Sequence, residues 1–177
     1  MQHNKRIYLV GSRGSGKTSV GQALAQQLAW DFVDTDALLC EMQGKSIAEI
    51  VEAEGWEAFR NYESLALLAA AKESKKVIAT GGGMILREKN REAMRENGVV
   101  IFLEVPPEEL ARRLGADPLE AQRPSLTGKT LLAEVKEVLL ARQQLYEDSA
   151  HITVDGAQTI KEIIDNIMEL LETKLVS

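Results

Sequence analysis

A glycine-rich octapeptide near the start of the chain has the composition and spacing of a phosphate-binding loop (P-loop). It fits the pattern G-x-x-x-x-G-K-[ST], and its residues are Gly11, Ser12, Arg13, Gly14, Ser15, Gly16, Lys17 and Thr18. Glycines let the backbone N–H groups of such a loop point at phosphate oxygens at the start of a helix. The lysine then reaches the β- and γ-phosphates, and the threonine hydroxyl binds Mg²⁺. The motif therefore predicts a nucleoside triphosphate site.

Motifs that the chain lacks disfavour two other classes of P-loop protein. A GTPase needs an Asp-x-x-Gly switch and an Asn/Thr-Lys-x-Asp motif that reads the base, and neither occurs in the sequence. A motor ATPase carries an apolar strand that ends in an acidic residue for Mg²⁺, whereas the apolar run from Val77 to Thr80 is followed by three glycines. This favours a small-molecule kinase, in which the acceptor hydroxyl meets the γ-phosphate with water excluded.

Two acidic residues, Asp34 and Asp36, flank Thr35 at the end of a predicted strand. The carboxyl edge of a parallel sheet is where α/β proteins bind ligands, so one carboxylate could help to hold Mg²⁺ and the other could accept the proton of an acceptor hydroxyl. The same residues would also suit a helix N-cap followed by an acidic residue in the first turn. The spacing alone leaves both interpretations open.

Gly81, Gly82 and Gly83 follow the next predicted strand at the same edge of the sheet. Three consecutive glycines cost backbone entropy, which favours a place where a ligand approaches the main chain closely. A permissive turn that binds nothing is the alternative interpretation.

Two arginines outside the P-loop are candidates for binding an anion. Arg142 shares one stripe of a predicted helix with three apolar residues, Leu131, Val135 and Val138. A guanidinium on a stripe that faces the core needs an anion, because an unpaired buried charge is costly. That anion could be a protein carboxylate or the carboxylate of a ligand. Arg60 has the same two options, and Glu63, one turn later, is its candidate partner within the protein.

The elements that must position these residues follow from the alternation of short apolar runs with amphipathic stretches. This pattern is typical of βαβ units around a parallel sheet. Strands are predicted at 7–10, 31–34, 77–79, 99–103 and 151–154. Helices are predicted at 16–29, 54–72, 87–97, 107–114, 130–148 and 159–175. The capping-box spacing of Ser46 and Glu49 predicts a further short helix.

The composition excludes several other kinds of protein. The 177 residues are 45% apolar and 27% charged, as in an ordinary globular domain, and the longest apolar run, from Leu65 to Ala71, is too short to span a membrane. The net charge of −6 argues against a nucleic-acid partner. Cys40 is the only cysteine, and the first residues leave no room for a signal peptide, so we expect a cytoplasmic protein.

Residues 115–129 carry glycine and proline between two predicted helices and have little apolar content. Loops of this length inside compact domains are commonly functional. Because Arg123 lies in the middle of the segment, we expect it to form a mobile flap over the site.

Taken in order along nearly the whole chain, these motifs resemble those of the shikimate kinase family. The matching segments are 11–18, 32–36, 59–60, 79–83, 123–124, 142–146 and 154–155. The P-loop is generic, but Asp34-Thr35-Asp36, the triple glycine and Arg123-Pro124 are specific in combination. The flap sequence at 123–129 is similar to that of the second-isoform type within the family.

The resemblance implies the nucleoside-monophosphate-kinase type of P-loop fold. This is an α/β fold with a five-stranded parallel sheet of order 2-3-1-4-5, flanked by helices. It further implies that residues 1–177 form a single kinase domain with a substrate-binding helical region at about 35–62. The flap at about 115–129 is then the lid of this domain. We expect a monomer with no nucleic-acid or membrane partner.

The resemblance also implies a role for each candidate residue on the acceptor side. Asp36 contacts the 3-hydroxyl of shikimate and is the candidate base. Arg60 and Arg142 hold the carboxylate of shikimate. The backbone of Gly81, Gly82 and Gly83 contacts the ring.

On the nucleotide side, the implied roles concern the phosphates, the metal and adenine. Lys17 and Arg123 neutralise charge on the phosphates of ATP, and Asp34 supports Mg²⁺ together with Thr18. The arginine before the lid, Arg113, packs on adenine.

The implied activity is ATP-dependent phosphorylation of the 3-hydroxyl of shikimate, giving shikimate 3-phosphate and ADP, in aromatic amino-acid biosynthesis. ATP and shikimate are the implied partners and Mg²⁺ the implied cofactor. Two alternatives stay open. One is a kinase of the same fold that phosphorylates gluconate or a nucleoside monophosphate, and the other is a regulatory module that binds a nucleotide without turnover.

Overall fold

Five parallel strands form the central sheet of the computed structural model, which describes residues 6–117 and 125–175. The strands are β1 (Arg6–Val10), β2 (Asp31–Asp34), β3 (Lys76–Ala79), β4 (Val99–Glu104) and β5 (Ile152–Asp155). Their order across the sheet is β2-β3-β1-β4-β5, and every neighbouring pair is parallel. The predicted fold class and strand order are confirmed.

Helices connect the strands and cover the sheet. They are α1 (Lys17–Leu28), α2 (Thr35–Gln43), α3 (Ile47–Ala70), α4 (Glu88–Asn97), α5 (Pro107–Ala116), α6 (Leu131–Ser149) and α7 (Ile160–Leu175), with a 3₁₀ turn at Met84–Leu86. The prediction lacked α2 and the 3₁₀ turn. None of the helices in the described ranges combines the length and apolar character needed to cross a lipid bilayer.

Helix α3 joins two helices that were predicted as separate. It begins with the predicted capping box, in which Ser46 Oγ accepts from the Glu49 N–H and the Glu49 carboxylate accepts from the Ser46 N–H. At Gly55 the backbone leaves the helical region, with φ 82° and ψ 172°. A left-handed φ is accessible to glycine without a Cβ clash, so the chain bends there and the helix continues. The predicted start of a helix near residue 54 marks this bend.

The core lies on both faces of the sheet. Ile7 and Leu9 of β1 pack on one face with α1 and α7, and Tyr8 and Val10 pack on the other face with α3, α4 and α6. Strands that are buried on both faces cannot alternate between apolar and polar residues. This explains why the central strands are continuous apolar runs in the sequence.

Most of the candidate residues lie together at the carboxyl edge of the sheet. Leu9 of β1 and Asp34 of β2 are both level with Ala79 of β3, so the three strands end together. The P-loop leaves β1, the Asp-Thr-Asp segment leaves β2 and the triple glycine leaves β3 at this edge. Helices α2 and α3 form a small layer beside it, with a core of Leu39, Ile50, Phe59 and Ala66.

Candidate active site

The P-loop has the backbone conformation that its glycines predict. Gly11, Gly14 and Gly16 have φ values of 148°, 79° and 90°, which disfavour residues with a side chain. A Cβ at Gly14 would also lie 3.0 Å from Leu114 Cγ, so helix α5 packs directly on the loop. The loop leads from β1 into α1, whose first residue is Lys17. Its amide groups therefore surround the positive end of that helix.

The Lys17 side chain lies across the loop. Its ammonium donates to the carbonyl oxygens of Gly11 and Ser12, both at 2.8 Å, and only 9% of the residue is exposed. The charge is thus held within the P-loop by two main-chain acceptors. This arrangement delivers a positive charge to any phosphate that the loop binds.

Thr18 and Asp34 meet in front of α1. The Thr18 hydroxyl donates to Asp34 Oδ2 at 2.8 Å, while Asp34 Oδ1 caps α2 by accepting from the N–H groups of Asp36 and Ala37. The N-cap interpretation of Asp34 is therefore confirmed, and its role toward Mg²⁺ stays a prediction. One oxygen caps the helix and the other meets the predicted metal-binding hydroxyl.

The oxygen atoms of Thr18 and Asp34 suit a magnesium ion. Magnesium prefers oxygen ligands and commonly binds through one or two protein side chains together with phosphates and water. Thr18 and Asp34 supply such a pair of oxygens beside the P-loop. In the described ranges, no group of three or more histidine, cysteine or acidic residues is placed to hold a metal ion.

Two cavities meet beside the P-loop. The first, the nucleotide cavity, is lined by Arg13, Gly14, Gly16, Lys17, Thr18, Ser19, Asp34, Asp36, Thr80, Gly82, Arg113, Leu114 and Asp117. The second, the acceptor cavity, is lined by Ser12, Arg13, Asp36, Ile47, Trp56, Phe59, Arg60, Glu63, Gly82, Gly83, Leu114, Leu126, Leu131, Glu134, Val135, Val138 and Arg142. Arg13, Asp36, Gly82 and Leu114 belong to both walls, so a group bound in one cavity can reach a group bound in the other at Asp36.

Arg60 is held on three sides in the acceptor cavity. Its guanidinium lies 2.5 Å from the Glu63 carboxylate and packs over the rings of Trp56 and Phe59, 5.5 and 5.2 Å from their centroids. The pairing with Glu63 that the spacing suggested is therefore present. Because Arg60 also lines the cavity, that pairing does not remove it from the site. An arginine pre-oriented in this way can still bind a ligand carboxylate with its remaining donors.

Glu63 lies beneath Arg60, almost completely buried. Burial raises the pKa of its carboxyl group, and the charge of Arg60 offsets part of the rise. A Cβ at Gly81 would lie 2.6 Å from Asp36 Oδ1 and 2.8 Å from Glu63 Oε1, so the two carboxylates lie close together, and the charge of Asp36 raises the pKa of Glu63 further. The acceptor cavity thus has a mixed charge, with acidic groups directly beside its cations.

Arg142 lies on the opposite wall of the acceptor cavity. Within residues 6–117 and 125–175, no aspartate or glutamate forms an ion pair with Arg142, since nearby Glu63 is paired with Arg60. The charge of Arg142 lowers the pKa of Glu63. The stripe formed by Arg142 with Leu131, Val135 and Val138 was expected to face the core, and this holds for Val135, which is buried in a core cluster with Val105, Leu110 and Leu114. The stripe also lines the cavity, because α6 runs along its side.

The triple glycine has a steric explanation at each position. Its φ values lie outside the left-handed region, so a permissive turn does not explain it. A Cβ at Gly81 would lie 2.6 Å from Asp36 Oδ1, one at Gly82 would lie 3.3 Å from Arg13 N, and one at Gly83 would lie 2.1 Å from an Arg60 nitrogen. Each missing side chain makes room for a group that lines one or both cavities.

Gly83→Ala provides a test of this explanation. The new methyl group would occupy the space of the Arg60 guanidinium, and the arginine must move. We expect the KM for the acceptor to rise at least tenfold, with a smaller change in the KM for ATP, because one charge-assisted contact is lost. Steady-state kinetics with each substrate varied in turn measures both values.

A double-mutant cycle controls for a general disturbance of the turn. In an Arg60→Ala background the guanidinium is absent, so Gly83→Ala should change the acceptor KM by less than about threefold. Equal effects of Gly83→Ala in the two backgrounds would show that the glycine does not act by making room for Arg60.

Arg113 connects three parts of the nucleotide cavity. It donates to the Glu109 carboxylate at 2.8 Å, to the Gly156 carbonyl at 3.0 Å and to the Gly14 carbonyl at 3.4 Å. Arg112 and Arg113 together hold the pKa of Glu109 at about 2. The guanidinium thus lies between the P-loop and the loop after β5.

The expected lid falls partly outside the described residues, and Arg123 is among those that the structure does not describe. The end of this segment is anchored to α6. Glu134 accepts from the hydroxyl of Ser125 and from the amide and hydroxyl of Thr127. Leu126, between them, lines the acceptor cavity.

Sequence reasoning missed part of the acceptor cavity. Trp56 and Phe59 were not among the predicted site residues; they pack in the layer beside the sheet and also flank Arg60 in the cavity wall. The spacing of Trp56, Phe59 and Arg60, with the rings four and one residues earlier on the same helix, was the available signal. Glu134 carried no such signal, because an acidic residue in the first turn of a helix is common.

Comparison with known proteins identifies the family. The family model described as shikimate kinase matches residues 13–172. The chain is 48% identical over 170 residues to shikimate kinase 2 of Yersinia pestis (strain Pestoides F), covering 96% of this chain and 97% of the relative. A shikimate kinase of Nitratidesulfovibrio vulgaris is 48% identical over 166 residues, covering 94% and 95% of the two chains.

A solved structure agrees with these relatives. The shikimate kinase of Acinetobacter baumannii, in complex with shikimate, superposes with a TM-score of 0.91 at 32% sequence identity, covering 98% of this chain and 96% of that one. The family match, the near-complete relatives and the shared fold all agree with the motifs that line the two cavities. The chain therefore belongs to the shikimate kinase family of phosphotransferases, which use ATP with Mg²⁺.

Proposed function

We propose that the two joined cavities phosphorylate the 3-hydroxyl of shikimate with ATP, giving shikimate 3-phosphate and ADP. The observation that carries the proposal is the position of Asp36. Its side chain lines both the cavity that contains the P-loop and the cavity that contains two arginines. A hydroxyl bound beside Asp36 would therefore lie next to the terminal phosphate of a bound nucleotide.

In the nucleotide cavity, residues 11–18 would bind the phosphates and Arg113 would pack against adenine. Thr18 and Asp34 would hold Mg²⁺, which when bound offsets the charge of the β- and γ-phosphates. Lys17 would contribute a further positive charge from its position across the loop. Arg123 would complete the charge around the γ-phosphate from the lid.

In the acceptor cavity, Arg60 and Arg142 would hold the carboxylate of shikimate from two walls. The proposal for Arg142 is supported by its lack of an acidic partner among the described residues, since a half-buried guanidinium is stabilised by an anion. The main chain at Gly81, Gly82 and Gly83 would contact the ring. The apolar side chains of the same cavity would exclude water from the transfer.

The transfer itself needs positioning more than covalent chemistry. Asp36 would accept the proton of the 3-hydroxyl as that oxygen forms its bond to the γ-phosphorus, and the bond from the phosphorus to the β,γ-bridging oxygen breaks. Lys17 and Arg123 would stabilise the charge that shifts toward ADP. The cations of the site are thus concentrated at one crevice of an otherwise acidic protein.

The same proposal divides the chain by role. Residues 1–177 would act as one kinase domain and a monomer, with residues of about 35–62 as the region that binds shikimate and about 115–129 as the lid. Support comes from the positions of α2 and the first half of α3, which stand beside the sheet and bring Trp56, Phe59 and Arg60 to the acceptor cavity.

An ADP-release assay with four acceptors tests the proposal. We expect turnover with shikimate, little or none with gluconate, AMP or CMP, and loss of activity when EDTA removes Mg²⁺. Mass spectrometry of the product would show one added phosphate. Faster turnover with gluconate or a nucleoside monophosphate would contradict the proposed acceptor, and no turnover with any acceptor would favour a regulatory nucleotide-binding module.

A further inference from the structure

Tyr146 makes a buried contact with the triple glycine. Its side chain is 1% exposed and lies one turn after Arg142 on α6. The hydroxyl donates to the carbonyl oxygen of Gly82 at 2.6 Å, and the ring stacks on Phe102 of β4 with centroids 5.1 Å apart and planes at 16°. The ring is therefore fixed by the core, and only its hydroxyl reaches the edge of the sheet.

Gly82 is tightly confined between this hydroxyl and the P-loop. A Cβ at Gly82 would lie 3.3 Å from Arg13 N and 3.6 Å from the Gly11 carbonyl oxygen. Gly82 is also one of the residues that line both cavities. A shift of this residue would change the nucleotide and acceptor walls together.

The contact also orients the next amide group. The peptide bond between Gly82 and Gly83 is trans, as all described peptide bonds are, so its C=O and N–H point in opposite directions. Because Tyr146 holds the C=O on the side of α6, the N–H of Gly83 points the other way. Gly83 itself lies against Arg60, since a Cβ at this position would lie 2.1 Å from a guanidinium nitrogen.

The hydroxyl also has a hydrogen bond with the side chain of Arg142. Burial raises the pKa of Tyr146, and the charge of Arg142 and this hydrogen bond offset part of the rise. The phenol therefore stays protonated at neutral pH and keeps its bond to the Gly82 carbonyl. A buried carbonyl that loses such a partner is costly, so the contact restrains the peptide unit strongly.

We propose that Tyr146 is a positioning residue, which holds both the Gly82–Gly83 peptide and the Arg142 guanidinium in the wall of the acceptor cavity, so that the site is ready to bind the carboxylate of the acceptor. The inference rests on the acceptor site given under the proposed function. Tyr146 acts through the peptide and Arg142 and does not touch the acceptor itself.

Tyr146→Phe is the direct test, because it removes the hydroxyl and keeps the stacked ring. We expect the KM for shikimate to rise about three- to tenfold, with kcat and the KM for ATP changed by less than about twofold. The effect should be smaller with methyl shikimate, whose ester carries no negative charge. An unchanged KM for shikimate would overturn the proposal, and so would equal losses with shikimate and its ester.

Two further variants separate positioning from packing. Tyr8→Phe makes the same change at another buried tyrosine of the same core cluster and should leave both KM values unchanged. Phe102→Leu removes the stacked ring but keeps the Tyr146 hydroxyl, so it should lower the melting temperature with less than a twofold change in the KM for shikimate. If Phe102→Leu raises that KM as much as Tyr146→Phe does, packing and not the hydroxyl orients the peptide, and the proposal is wrong.

Arg142→Ala distinguishes failure of this inference from failure of the site. If Arg142→Ala raises the KM for shikimate and Tyr146→Phe does not, only the role of Tyr146 is lost. If neither variant changes it, the acceptor site itself is assigned wrongly.

Discussion

Asp36→Asn should lower kcat for shikimate by about 10²- to 10⁴-fold, the range that a positioned general base contributes. The asparagine has the same shape but cannot accept the proton of the 3-hydroxyl. The carboxylate lies next to Gly81 in the wall that the two cavities share. Among the described residues of that shared wall, Asp36 alone is acidic. Binding of ATP, measured by isothermal titration calorimetry, should change by less than about threefold.

Asp31→Asn is the matched control for this variant. Asp31 begins the same strand whose end leads to Asp36, but it is exposed at the opposite edge of the sheet. The control should keep turnover within about twofold of the wild type. If Asp36→Asn also keeps near-wild-type turnover, Asp36 is not the base, and the reaction depends on positioning and charge alone.

Arg142→Ala should raise the KM for shikimate by about 10- to 150-fold, which corresponds to the loss of a charge-assisted contact. The KM for ATP should rise by less than about threefold, because Arg142 lines only the acceptor cavity. Varying each substrate at saturation of the other gives the two values. Arg142→Lys should restore part of the loss, since lysine keeps the charge but cannot form the two parallel bonds of a guanidinium.

Arg95→Ala controls for a displaced helix. Arg95 donates to the carbonyl oxygens of Asp148 and Ser149 at the end of α6, so its removal loosens that helix and changes the net charge by the same amount. It should leave the KM for shikimate within about twofold. Equal losses of affinity for both substrates in Arg142→Ala would contradict a carboxylate contact and indicate a disturbed fold.

The fold was predictable from the sequence because its strongest signals are local. The strands of the sheet centre are continuous apolar runs, and the P-loop pattern requires a strand before it and a helix after it. Helix α2 was not predicted as a separate element, although the N-cap interpretation of the Asp-Thr-Asp segment gave its start. The rest of α2 is held by packing against α3, which the sequence of α2 alone does not show.

The residues of the candidate site were predictable, but the sequence did not show whether each of them binds another residue of the protein or a ligand. The spacing of Arg60 and Glu63 is that of an ordinary ion pair on a helix, and the structure contains that pair inside a cavity. The residue types cannot reveal this, because the location of the pair depends on how α3 stands beside the sheet. Likewise, three glycines in a row do not show which groups need the space. In the structure these are a carboxylate, a stretch of P-loop backbone and a guanidinium.

The order of strands across the sheet has a consequence for synthesis on the ribosome. Leu9 of β1 is bonded on one side to the strand that contains Ala79 and on the other to the strand that contains Ile101. The nascent chain therefore completes the octapeptide early but has both flanking strands for it only after more than half of the polypeptide has left the exit tunnel. Nucleotide cannot stabilise the emerging chain before then, so N-terminal fragments that stop short of β4 should neither bind ATP nor resist proteolysis in its presence.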